Sequence, residues 1–92
     1  MIRSFSHKGL RELFTRGATP HVAAALQARA KRWLDALDSA TALTELNVPG
    51  FDFHALRGRT PTRYTLHVNG PWCITFEWSA GDAHRVDLEQ YH

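Results

Sequence analysis

The stretch Arg63 to Trp78 constrains this chain more than any other, because two runs of alternating apolar and polar residues flank Asn69-Gly70. That dipeptide readily adopts the positive backbone angles of a tight hairpin turn. Successive side chains of a strand point to opposite sides, so Tyr64, Leu66 and Val68 share one face before the turn. Trp72, Ile74, Phe76 and Trp78 share one face after it, and both runs present their large apolar groups to one core. The other face carries Arg63, Thr65, His67, Cys73, Thr75 and Glu77. Small basic and polar groups on a rigid sheet suit a polyanionic ligand. Pro71 has no amide donor, which suits its place beside the turn.

Ahead of the hairpin, Ile2 to Phe5 alternates and predicts a short edge strand. Ser6 is placed to cap a helix from His7 onward, with Leu10, Leu13 and Phe14 on one face and Gly17 as its stop. Thr19-Pro20 reads as the cap and first-turn proline of a second helix. Val22, Leu26, Ala30, Trp33, Leu34 and Leu37 form its apolar stripe, with Gln27, Lys31, Arg32 and Asp35 opposite. The pattern ends near Asp38 to Ala40. Thr41 to Leu46 suits one short helical turn, which Pro49-Gly50 breaks. Phe53 to Arg57 predicts a strand, Gly58-Arg59-Thr60-Pro61 a loop, and His84 to Glu89 a last strand. This order gives an α+β fold, two N-terminal helices packed on a small antiparallel twisted sheet, in a single domain over residues 1–92.

A chain of 92 residues, 43% apolar and 22% charged, can hold one core without cross-links and is not disordered. Its net charge of +2 is unevenly spread. Residues 53–70 contain His54, Arg57, Arg59, Arg63 and His67 without an acid, whereas Glu77, Asp82, Asp87 and Glu89 face a single Arg85 in the tail. That asymmetry favours an anionic partner at the middle of the chain. Cys73 is the sole cysteine, so no internal disulfide forms and a reducing compartment is compatible. Zinc-type Cys/His spacing is absent and the histidines are scattered, which argues against a metal site. Arg3, His7 and Lys8 interrupt the start before the apolar run of a signal peptide develops. Val22 to Leu26, the longest apolar stretch, is too short to span a bilayer. The expectation is a soluble cytoplasmic protein with no cofactor and no membrane partner.

Five blocks occur in order along nearly the whole chain: Met-Ile-Arg-Ser-Phe-Ser-His-Lys-Gly-Leu at the start, Leu-Asp-Ala-Leu-Asp-Ser-Ala-Thr at Leu34 to Thr41, and His-Ala-Leu-Arg-Gly at His54 to Gly58. Val-Asn-Gly-Pro-Trp-Cys-Ile-Thr-Phe at Val68 to Phe76 and the ending Val-Asp-Leu-Glu-Gln-Tyr-His complete the set. Together they resemble HigB-type toxins of the RelE superfamily. The resemblance implies two helices against an antiparallel sheet and a toxin of a toxin–antitoxin pair that cuts messenger RNA on the translating ribosome. It also implies a helix-turn-helix antitoxin as partner.

Cleaving RNA without a metal requires driving the ribose 2′-hydroxyl onto the adjacent phosphate. One group takes the hydroxyl proton, another protonates the leaving oxygen, and cations stabilise the charge-rich phosphorane. Histidine suits either proton transfer and arginine suits the phosphate. Read from the residues alone, His54 is a strand histidine beside Arg57 in an acid-free region. The resemblance makes His54 the catalytic histidine and Arg57 a phosphate contact. It also implies that Tyr91 and His92 reach back to the site, Tyr91 to stack on a base or join proton transfer and His92 as the second acid or base. Arg63 and His67 face the polar side and are candidates to line an RNA groove. Two positions depart from the family. Gln90 stands where relatives often have an acid, and Cys73 stands where they commonly have the arginine expected to stabilise the phosphate. Cys73 points to the polar face by parity, so the direction survives and the charge is gone. Two functions follow: a ribosome-dependent endoribonuclease, attenuated at Cys73, or a catalytically impaired binding module of the same fold that engages antitoxin, or antitoxin and ribosome, without cutting RNA.

Overall fold

The computed structural model describes residues 1–90, so Tyr91 and His92 lie outside the described residues. The first element is α1 (Lys8–Arg16), which ends where Gly17 adopts φ 82° and donates its N–H to the Leu13 carbonyl. Its cap is His7 rather than Ser6: the imidazole Nδ1 accepts the Leu10 N–H at 3.1 Å. His7 is therefore a structural group. The second helix, α2 (Ala24–Ser39), begins later than Thr19-Pro20 and has no side-chain cap. The Thr19 hydroxyl is occupied elsewhere, donating to Glu12 Oε1 at 2.7 Å and accepting from the His21 N–H at 3.0 Å. This ties the turn between the helices to α1 instead of starting α2. A 3₁₀ turn follows at Leu43–Leu46.

The strands are β1 (His54–Leu56), β2 (Arg63–Asn69), β3 (Trp72–Ser79) and β4 (Asp82–Gln90), all antiparallel in the order β1-β2-β3-β4. The predicted N-terminal edge strand is reduced to two parallel bridges, Ile2 to Ala83 and Phe5 to Val86, which lie along β4. Leu66, Val68, Ile74, Phe76, Val86 and Leu88 meet Leu10, Leu13, Leu26, Ala30, Leu34 and Leu37 of the helices in one buried cluster. Trp33, Trp72 and Trp78 pack against its margin. Burying such a cluster contributes roughly 1.5–3 kcal/mol per large side chain.

The hairpin turn sits one residue later than Asn69-Gly70. Asn69 pairs with Trp72, and Gly70, at φ 57°, occupies the loop with Pro71. A turn centred on Asn69-Gly70 needs an N–H on residue 71 to close it, and proline has none. The Trp72 N–H is available, so the turn moves. The ladder absorbs the step through an irregularity between His67 and Asn69. There the His67 and Val68 carbonyls accept from two α2 side chains, Trp33 Nε1 at 2.7 Å and Arg29 Nη1 at 3.0 Å. The bulge thus keeps Val68 in the core while His67 still pairs with Cys73 on the far face.

Candidate active site

With the helices on one side, the far face of the sheet holds rows of facing residues. His54 pairs with Thr65, Thr65 with Thr75, and Thr75 with Asp87. On either side run His67, Cys73 and Glu89, and Arg63, Glu77 and His84.

His54 is exposed at the start of β1. Its Nδ1 lies 2.9 Å from the Asp52 carbonyl oxygen. A carbonyl only accepts, so this contact requires the proton on Nδ1 and, in the neutral ring, leaves the lone pair on Nε2. The Thr65 hydroxyl stands 3.2 Å from Nε2. Asp52 reaches this position at φ 49°, a left-handed conformation that Asp tolerates better than most residues. An open hollow of about 480 Å³ adjoins it, lined by Asn47, Val48, Pro49, Gly50, Asp52 and Phe53.

Arg57 follows β1 directly and is exposed. Arg63 is held very differently. Its Nη1 donates to Glu77 Oε2 at 3.1 Å, and its Nη2 donates to Thr75 Oγ1 at 2.9 Å and to the Arg85 carbonyl at 2.8 Å. Its side chain is only 11% exposed, and its buried Nε faces Glu89 Oε1 at 3.9 Å, beyond hydrogen-bond reach. The acid-free segment of the sequence is therefore not acid-free in space. His67 is half-buried, and its Nε2 bonds the Gly70 carbonyl at 2.9 Å, tying the ring to the hairpin turn.

Cys73 is buried, and that burial, with a smaller contribution from the charge of Asp52, pushes the thiol above its ordinary range. It is a neutral group, held away from the thiolate that reactive cysteines need. Gln90 is exposed and pairs with Trp72, in the register step after the Cys73–Glu89 pair. The roles assigned to Tyr91 and His92 fall outside the described residues.

Sequence reasoning passed over two members of this face. Glu89, one residue before Gln90, accepts a hydrogen bond from Thr75 Oγ1 at 2.6 Å and lies 3.7 Å from Arg59 Nη2. Arg59 comes from the loop between β1 and β2. Only the alternation of the last strand hinted at Glu89, and Arg59 was read only as one cation of the basic segment 53–70, with no place on this face. Among the described residues, no three or more His, Cys, Asp or Glu side chains converge as metal ligands.

Residues 3–92 match the family model described as a RelE-like toxin of type II toxin–antitoxin system HigB. The chain is also 40% identical, over 92 residues covering 100% of both chains, to a Proteus vulgaris protein named Endoribonuclease HigB.

Proposed function

The chain belongs to the RelE-like HigB toxins of type II toxin–antitoxin systems, and from that premise we propose that it is an endoribonuclease that cuts messenger RNA on the translating ribosome. Its family carries an antitoxin as partner, and we take that antitoxin to be of the helix-turn-helix kind. The working compartment in this reading is the cytoplasm. Among the described residues, no helix is long and apolar enough to cross a membrane.

The observation that carries the reading is the contact of His54 Nδ1 with the Asp52 carbonyl, which in the neutral ring of this exposed histidine leaves the lone pair on Nε2, 3.2 Å from the Thr65 hydroxyl. Such a nitrogen takes the proton of a ribose 2′-hydroxyl as O2′ attacks phosphorus. The P–O5′ bond then breaks, leaving a 2′,3′-cyclic phosphate and an O5′ that must receive a proton. By family resemblance that proton comes from Tyr91 or His92. Arg57, exposed three residues after His54, supplies a phosphate contact in this reading. Arg63 and His67 support the face from within, since both side chains are bonded to their own sheet and turn.

The competing reading, a module that binds antitoxin without cutting, draws on the neutral buried thiol of Cys73. Inducing the protein in a bacterial host and mapping messenger RNA 5′ ends separates the two. New ends confined to translated regions, absent with His54→Ala, support the nuclease. Intact messages and normal growth with the parent chain refute it and favour the binder.

A further inference from the structure

Arg85 occupies a backbone position that suits glycine. Between the pairs Thr75–Asp87 and Glu77–His84, β4 sets two residues, Arg85 and Val86, against the single Phe76 of β3. This is a β-bulge, and Arg85 is its first residue, at φ 52°. A left-handed first position in a bulge is ordinarily glycine, because a Cβ there is strained. The surroundings hold the conformation from both sides. The Arg85 N–H donates to Ser4 Oγ at 2.9 Å, and the Arg85 carbonyl accepts from Arg63 Nη2 at 2.8 Å. Strain that neighbours fix in this way marks places where the side chain has a use.

The bulge takes Arg85 out of the alternation of β4. Ala83, Val86 and Leu88 are buried, whereas Arg85 is exposed. Its guanidinium has no hydrogen bond or ion pair among the described residues. It lines an open cleft of about 460 Å³ with Ser4, Pro61, Glu77, Trp78 and His84. The nearby acids are already matched: Glu77 takes Arg63 at 3.1 Å, and Asp82 takes Arg3 at 3.0 Å. Arg85 is therefore the surplus charge of the cleft, and its complement is an anion. Trp78, half-buried in the same lining, is an aromatic of the kind on which an unstacked base lies. A cation and an aromatic in one cleft suit a nucleotide.

Glu77 and His84 belong to the row that starts at Arg63, next to the row of His54, Thr65 and Thr75. Rows two residues apart on a strand are separated by about 7 Å, and β4 lies three strand spacings, roughly 14 Å, from β1. One phosphodiester at His54 does not span that distance, but the nucleotides flanking it on the same RNA strand do.

We propose that Arg85 and Trp78 form a second RNA subsite, in which Arg85 holds a phosphate and Trp78 a base of the bound message outside the scissile step. This rests on the endoribonuclease reading and adds a grip on the strand that the reaction itself does not use.

The test compares the parent chain with Arg85→Gly and Arg85→Lys. Binding of a short labelled single-stranded RNA to purified protein is measured by fluorescence anisotropy across a range of salt concentrations, and stability by urea unfolding. Arg85→Gly is expected to weaken binding about tenfold and to flatten the salt slope by about 0.7, the share of one phosphate on a single strand. Its unfolding midpoint holds or rises, because glycine relieves the left-handed strain. Arg85→Lys keeps the parent's salt slope. Parent-like binding by Arg85→Gly overturns the proposal. So does a loss of binding that comes with a lower midpoint, which assigns Arg85 to the fold. Cosedimentation of Arg85→Gly with message-free ribosomes stays at the parent's level; an equal loss there gives the cleft to ribosomal RNA and overturns the assignment to the message. Cleavage in a reconstituted translation reaction separates the two readings. A parent that cuts messages while Arg85→Gly binds RNA as before overturns the subsite alone, and a parent that never cuts overturns the endoribonuclease reading on which it rests.

Discussion

Arg63 provides the sharpest test of how the polar face is built. Arg63→Met keeps the apolar stem and deletes the fork, removing hydrogen bonds of 3.1, 2.9 and 2.8 Å to Glu77, Thr75 and the Arg85 carbonyl. Breaking a buried ion pair by deleting one partner costs about 3–5 kcal/mol, because the other charge is left uncompensated. The Glu77 side chain keeps 17% exposure, and water relaxing toward it sets the loss near the lower end, about 3 kcal/mol. A domain of this length has a total stability of about 5–14 kcal/mol, so the loss is a large share of it. With a urea m-value of about 1–1.5 kcal/mol per M for so small a chain, the unfolding midpoint falls by roughly 2–3 M. Arg63→Lys recovers less than half, since one ammonium cannot serve acceptors arranged around a planar fork. A loss below about 1 kcal/mol for Arg63→Met, the worth of an exposed pair, refutes the claim that this cluster is desolvated. Message cleavage by Arg63→Lys, measured below its melting range, stays within a few-fold of the parent if Arg63 is structural.

Other expectations follow from single contacts. A Cβ at Gly9 would come within 2.8 Å of His7 Cε1 and 2.9 Å of Val22 Cγ2. Gly9→Ala should therefore cost about 1–3 kcal/mol in urea unfolding, instead of the ~1 kcal/mol gain that an open helix position gives; a gain overturns the packing claim. Cys73 is 6% exposed and its thiol is pushed up by burial, so iodoacetamide at pH 8 should leave the native protein unmodified and label it fully in urea. Rapid native labelling contradicts this. The Thr41 hydroxyl and N–H hold the Glu45 carboxyl below its ordinary 4.5, and Arg3 holds that of Asp82 below its ordinary 3.8. Because these folded-state values lie below the unfolded ones, the unfolded chain takes up protons first. Their stabilisation is whole above about pH 4.5 and is lost as the pH falls. Thr41→Val should flatten that acid limb of the urea midpoint against pH, and an unchanged limb refutes the assignment.

Much of the fold is legible residue by residue. The stop of α1 at Gly17, the stripe of α2 through Leu26, Ala30, Leu34 and Leu37, and the two faces of the hairpin follow from local backbone preference and side-chain period. The misreadings have separate causes. Thr19 looks like a helix cap until Glu12, on another element, takes its hydroxyl. Asn69-Gly70 looks like the turn until the missing N–H of Pro71 is weighed against the closing hydrogen bond. Ser6 gives way to His7 because the ring nitrogen reaches the Leu10 N–H.

The site divides the same way. The polar parity of Cys73 was readable by counting from the turn, whereas the role proposed for His54 rests on its place in a familiar block. The electrostatics were not readable. Residues 53–70 hold cations without an acid, yet β3 brings Glu77 to Arg63 from 14 residues away, and β4 brings Glu89 to Arg59. By itself, the sequence determined which side chains share a face, because alternation is a property of each strand. Which charges neutralise each other was decided only by the tertiary register, because ion pairs form through space over a few ångströms and take no account of separation along the chain.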